Sequence, residues 1–74
     1  MQDIQYDYSK LKGKIKEVCG TQDMLASKIG IGRVTLSQRL NNLSEFSQDE
    51  ITKMTAVLNI SNQEIPVYFF TTVV

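Results

Sequence analysis

The sequence contains no histidine and only one cysteine, Cys19. Zinc sites of small domains use both residue types, and most nucleophilic and acid–base catalysis uses histidine, so neither chemistry is expected. The carboxylates are scattered, and a chain of 74 residues rarely builds the enclosed cleft that paired carboxylates need for catalysis. We therefore expect no catalytic residue, no metal ion and no cofactor, and a protein that is not an enzyme.

Long apolar segments are absent as well. No stretch approaches the roughly 20 apolar residues that span a bilayer, and the opening MQDIQYDYSK lacks the cationic and apolar segments of a secretory signal. A single cysteine cannot form an internal disulfide, which fits a reducing compartment. The sequence thus predicts one cytoplasmic domain, residues 1–74, without a membrane partner. Residues 1–6 and 71–74 are expected to be flexible or ordered by a partner.

The formal net charge is zero, but the charges are unevenly distributed. Residues 8–42 hold seven cations and two carboxylates, whereas residues 43–74 hold one cation and four carboxylates. A basic half can orient a protein on a phosphate backbone even when the whole chain is neutral. The lysines of the first predicted helix are equally typical of a solvated helix face, so both interpretations stay open.

Hydrophobic periodicity predicts an all-α fold, a compact bundle of about five short helices. The first helix should cover about residues 8–18, and the second should cover 22–29 with Thr21 as its N-cap. The third should cover about 33–41, after a tight turn that contains two glycines, Gly30-Ile31-Gly32. Two short helices joined by such a turn are the signature of a helix-turn-helix.

The C-terminal half carries two further helix-start signals. A fourth helix should follow the capping box of Ser47 with Glu50 and run to about Leu58, and a short fifth helix should follow a second box, Ser61 with Glu64. Residues 68–74 are aromatic and β-branched, which is typical of a short extended tail. The aromatic side chains of this tail either cover the small core or form a dimer surface that adds a strand to a partner.

Residues 22–42 resemble the helix-turn-helix of Cro and repressor proteins from temperate phages. The matching features are Gln22, Leu25-Ala26, Ile29-Gly30-Ile31 and Thr35-Leu36-Ser37. Nearly the whole chain is similar to a narrower group, the short Cro-like and modulator-of-repression proteins of phages and prophages in Gram-positive hosts. The segments that carry this similarity are Tyr6-Asp7-Tyr8-Ser9-Lys10-Leu11, Gly20-Thr21-Gln22, Leu40-Asn41-Asn42 and Glu64-Ile65-Pro66 with Tyr68-Phe69-Phe70.

The resemblance implies a transcription regulator that binds operator double-stranded DNA, as a homodimer, in a lysogenic–lytic switch. It implies a location in the cytoplasm of a bacterial host, on the nucleoid when bound to DNA. An alternative is an antirepressor that binds the phage repressor and blocks its DNA binding, and the zero net charge favours this alternative. A third alternative is an antitoxin or another small regulator with the same fold.

The candidate DNA-binding residues lie on the two motif helices and directly beside them. Arginine can pair with guanine or phosphate, glutamine with adenine, and valine with a thymine methyl group. Polar residues at the start of the second helix would contact phosphate. The candidates are Thr21, Gln22, Arg33, Val34, Ser37, Gln38, Arg39, Asn41 and Asn42. Arg39 departs from the Cro pattern, because most such motifs place an apolar residue there, and Gly32 replaces the usual serine or threonine cap.

Overall fold

The computed structural model describes residues 4–73, and these fold into five α-helices. The predicted all-α bundle is confirmed, and the expected bounds of the first four helices lie within one residue of the observed ones. In chain order the helices are α1 (Ser9–Cys19), α2 (Gln22–Ile29), α3 (Arg33–Leu40), α4 (Gln48–Leu58) and α5 (Ile65–Phe69).

Local signals in the sequence account for the helix starts. The Thr21 hydroxyl accepts a hydrogen bond from the Met24 N–H at 3.2 Å and caps α2. The capping box before α4 is complete, because the Ser47 hydroxyl accepts from the Glu50 N–H while the Glu50 carboxylate accepts from the Ser47 N–H. Gly30 adopts φ +78° and ends α2, a conformation that costs glycine nothing.

The second predicted capping box is only half formed. The Glu64 carboxylate accepts from the Ser61 N–H at 3.1 Å, but the Ser61 hydroxyl donates to the same carboxylate instead of capping an N–H. This box closes a turn over residues 62–64, so the fifth helix begins later than its signal suggests, at Ile65. Pro66 then lies in the first turn of α5, where its missing N–H leaves no hydrogen bond unmade.

One hydrophobic core joins the five helices. Helix α2 packs against α1, α3 and α4, and α5 packs against α1. Among residues 4–73, this arrangement leaves the outward sides of α2 and α3 free of other helices. No helix among residues 4–73 is long and apolar enough to cross a bilayer. The buried core residues are Tyr8, Leu11, Ile15, Leu25, Ala26, Ile29, Leu36, Leu40, Met54, Leu58, Ile60 and Phe69.

The two ends of the described chain pair with each other. Tyr6 and Thr72 form an isolated antiparallel bridge, in which the Asp7 N–H donates to the Thr71 carbonyl at 2.7 Å. The extended tail was expected from residue 68. Residues 68 and 69 instead belong to α5, so the tail begins only after the C-cap residue Phe70. Flexibility or partner-dependent order of residues 1–6 and 71–74 stays a prediction, and residues 1–3 and 74 lie outside the described residues.

Candidate recognition face of α2 and α3

The start of α2 and the outward side of α3 together line a shallow cleft of about 220 Å³. Side chains three or four residues apart on a helix share one side, which brings positions 33, 34, 37 and 38 together. Five of the nine predicted DNA-binding residues meet here. We call the cleft the recognition face, and its residues are Gln22, Arg33, Val34, Ser37, Gln38 and Leu43.

Two apolar side chains on this face are exposed to solvent. Val34 is 70% exposed and Leu43 is 75% exposed. Leu43 was not among the sequence-predicted site residues. Its position follows from the end of α3, where Asn42 adopts φ +61° and the Leu43 N–H donates to the Gln38 carbonyl at 2.9 Å. This Schellman arrangement turns the chain back, which explains why the loop residue joins the α3 surface.

Arg33 is the one cation among the residues that line the recognition face. Its Nε lies 2.9 Å from the Asp23 carboxylate, and both side chains are largely exposed. The pair connects the first turns of α2 and α3. An ion pair in water holds its partners weakly, so the Arg33 guanidinium can exchange Asp23 for another anion.

Arg39 points away from the recognition face, toward α4. Its Nε lies 3.1 Å from the Glu50 carboxylate, the side chains are 20% and 12% exposed, and a nitrogen of its guanidinium also donates to the Ser44 hydroxyl. Burial raises the pKa of Glu50, but hydrogen bonds from Arg39 and from the Ser47 N–H outweigh burial and hold the pKa below its usual value. A DNA contact by Arg39 stays a prediction, and its guanidinium already has protein partners.

Three other predicted contacts are also engaged inside the protein. Thr21 caps α2, and the Asn41 amide donates to the Ser37 carbonyl at 2.8 Å. The Asn42 side chain pairs with the backbone of Tyr6 in both directions, since it accepts from the Tyr6 N–H and donates to the Tyr6 carbonyl, each at 2.9 Å. Their roles as DNA contacts are untested, and their polar atoms stabilise the fold.

A second cleft, of about 330 Å³, adjoins the recognition face. It lies between α1 and the start of α2, and Gln22 lines both clefts. Lys12 and Lys16 line its α1 side, next to Thr21. We call it the lysine cleft. It places positive charge beside the recognition face.

Comparison with known proteins identifies a family and a similar solved structure. The family described as "Protein of unknown function (DUF739)" matches residues 4–72. The solution structure of the modulator of repression (MOR) of the temperate bacteriophage TP901-1 from Lactococcus lactis is similar, with 47% identity and a TM-score of 0.78 over 89% of each chain. No curated protein matches the sequence. The expected similarity to small phage regulatory proteins is confirmed at this level, and a Cro-type helix-turn-helix that binds DNA stays a prediction.

Proposed function

The chain belongs to the DUF739 family, and from its likeness to a phage modulator of repression we propose that it modulates repression by binding a phage repressor protein. We further propose that it acts only by binding and carries out no reaction. The single observation that carries the proposal is the exposed apolar pair on the recognition face, Val34 with Leu43.

The composition of the recognition face suits a protein partner. Interfaces between proteins combine an apolar centre with a polar rim, and here Val34 and Leu43 lie among Gln22, Ser37 and Gln38. Surfaces that bind DNA are more polar and much more positively charged. A face with a single cation, already paired with Asp23, provides little charge to neutralise phosphates.

The charge of the C-terminal half supports the same partner. A repressor binds phosphates through lysine and arginine, so its DNA-binding surface is basic. Residues 43–74 carry four carboxylates and one cation, and Glu45 lies two positions from Leu43. A partner that covers Leu43 with its basic surface would therefore lie close to the Glu45 carboxylate. Occupation of that surface would change the repressor's DNA binding.

Operator DNA is a second candidate partner, and the lysine cleft favours it. In a helix-turn-helix the second helix of the motif reads bases while neighbouring elements hold the phosphate backbone. Lys12 and Lys16 lie beside Gln22 at the edge of the recognition face. A duplex that contacts α3 would find these cations close to its backbone.

A titration of this chain with the repressor from the same phage or prophage tests the proposal. Fluorescence anisotropy of labelled operator DNA is measured with the repressor alone, with this chain alone and with both. We expect a direct complex of the two proteins and a change in the repressor's operator affinity. Absence of a complex with folded repressor at low salt would contradict the proposal, and specific operator binding by this chain alone would favour the second candidate.

Val34→Lys separates the two candidates. A lysine at this exposed position places a charge at the centre of an apolar contact, so we expect repressor affinity to fall by about tenfold or more. On DNA the added cation would strengthen binding through one more phosphate contact. Val67→Lys on α5 is the matched control, because Val67 is 43% exposed and lies outside the recognition face. Equal losses in both variants would contradict a specific role of α3.

A further inference from the structure

A cavity of about 130 Å³ lies between the paired chain ends and the loop that joins α3 to α4. Five aromatic rings, one aliphatic side chain and one carboxylate line it. Tyr8 packs edge-to-face on Phe46 with ring centroids 5.4 Å apart, and Tyr6 packs edge-to-face on Phe70 at 6.2 Å. The carboxylate is that of Glu45, an exposed residue of the loop. We call this cavity the aromatic pocket.

Tyr8 lines the aromatic pocket and carries a hydroxyl group. The residue is only 6% exposed, and among residues 4–73 no hydrogen bond to its hydroxyl accompanies this burial. Burial raises the pKa of Tyr8, and Tyr6 and Glu45 raise it further. The hydroxyl is therefore neutral at pH 7 and keeps oxygen lone pairs that can accept a hydrogen bond. A ligand in the pocket that donates hydrogen bonds would give this hydroxyl a partner.

We propose that the aromatic pocket binds the guanidinium group of an arginine side chain from the partner protein. A guanidinium is attracted by aromatic faces, stacks on them and donates several hydrogen bonds. Glu45 supplies the opposite charge and the Tyr8 hydroxyl supplies an acceptor. At about 130 Å³ the cavity has room for a group with the four heavy atoms of a guanidinium.

The position of the pocket connects it with the recognition face. Leu43 lines the recognition face and Glu45 lines the pocket, and two residues of chain span at most about 7 Å. A protein that covers Leu43 can thus place an arginine in the pocket. This step rests on the proposed function, since a repressor presents arginines on its DNA-binding surface.

The chemistry of the pocket can be tested without any partner protein. The full chain is titrated with N-acetyl-arginine methylamide and with its uncharged isostere N-acetyl-citrulline methylamide, and NMR follows Tyr6, Tyr8 and Phe70. We expect saturable shifts with the arginine compound, with a dissociation constant in the millimolar range, and at least about tenfold weaker binding of the citrulline compound. Equal affinities, or no saturable shift up to about 100 mM, would overturn the proposal.

Two variants locate the binding. Glu45→Gln should weaken binding of the arginine compound by about threefold or more, whereas Glu17→Gln, an exposed carboxylate on α1, should leave it unchanged. Phe70→Leu keeps an apolar side chain but removes a π face, so it should weaken binding as well. Glu45 and Phe70 are both exposed, and amide spectra verify that each variant is folded. Unchanged affinity in both variants would overturn the assignment.

The two proposals fail in different ways. A chain that binds the arginine compound but not the repressor would overturn the proposed function and leave the pocket chemistry in place. A chain that binds the repressor with full affinity after Glu45→Gln and Phe70→Leu, and ignores the arginine compound, would overturn only the pocket.

Discussion

The two arginines of α3 lie in opposite environments. Arg33 and its partner Asp23 are 75% and 61% exposed, whereas Arg39 and its partner Glu50 are 20% and 12% exposed. From the sequence alone, both arginines are candidates for contact with DNA. The position of Arg39 is unusual, because related motifs place an apolar residue there. Its partner could not be identified, since Glu50 lies beyond a loop whose path depends on Asn42.

The difference between the arginines predicts a difference in stability. Arg39→Ala leaves a largely buried carboxylate without its guanidinium and removes the bond to Ser44, so it should lower the free energy of unfolding by about 1–3 kcal/mol. Arg33→Ala should change it by less than about 0.5 kcal/mol, because exposed pairs contribute little. Urea denaturation measures both. A loss in Arg33→Ala as large as in Arg39→Ala would contradict this account.

Glu50 should also make stability depend on pH. Burial opposes ionisation, but hydrogen bonds from Arg39 and the Ser47 N–H keep its pKa in the folded protein below the usual 4.5. A carboxylate whose pKa is lowered by folding adds to the free energy of unfolding. This addition is complete above the pKa of the unfolded state and is lost as pH falls through the pKa of the folded state. We expect the free energy of unfolding to decline with acid from pH 4.5 downward, and less steeply in Glu50→Gln. Urea denaturation at several pH values measures this. If the free energy of unfolding declined equally steeply with acid in the unchanged chain and in Glu50→Gln, the assignment would be contradicted.

At the scale of elements, the sequence predicts what local chemistry determines. Thr21, Ser47 and Gly30 set helix ends through contacts within a few residues, and those bounds were predicted correctly. Local chemistry does not predict the backbone pairing of the chain ends, because Tyr6 and Thr72 lie at opposite ends of the sequence and the Asn42 side chain binds Tyr6 from 36 positions away. The site follows the same division. Helical spacing brings Val34 and Gln38 together on one side of α3, whereas Arg39 turns toward α4 and Leu43 joins the face only through the loop geometry.

Asn42 and Asn59 provide a matched pair of variants, since both adopt positive φ, +61° and +58°. Glycine tolerates this conformation, so Asn59→Gly should change the free energy of unfolding by less than about 0.5 kcal/mol. Asn42→Gly also removes both hydrogen bonds to Tyr6 and should cost about 1–2 kcal/mol. Hydrogen exchange at the Asp7 and Val73 amides, which form the bridge of the chain ends, should accelerate only in Asn42→Gly. Equal losses of stability and equal exchange rates in the two variants would show that Asn42 does not stabilise the pairing of the chain ends.

At the scale of the whole molecule, positive and negative charges lie on different surfaces, so each surface favours a different class of partner. The basic residues of the first half concentrate on α1 and include both lysines of the lysine cleft. The carboxylates of the second half include Glu45, beside the recognition face and at the aromatic pocket. A basic partner protein is therefore attracted to the edge of the recognition face near Glu45, and nucleic acid to the edge formed by the lysine cleft.

Removing the positive charge of the lysine cleft should affect DNA binding and repressor binding differently. Lys12→Gln combined with Lys16→Gln removes two cations that line this cleft and lie outside the recognition face. We expect repressor affinity to stay within about twofold, because exposed charges outside an interface contribute little. The dependence of the logarithm of DNA affinity on the logarithm of salt concentration should weaken by about two units, since two phosphate contacts are lost. Lys53→Gln, whose lysine pairs with Asp49 on α4, is the control and should change neither quantity. A tenfold loss of repressor affinity in the double variant would place the repressor on the lysine cleft instead of on the exposed pair Val34 and Leu43.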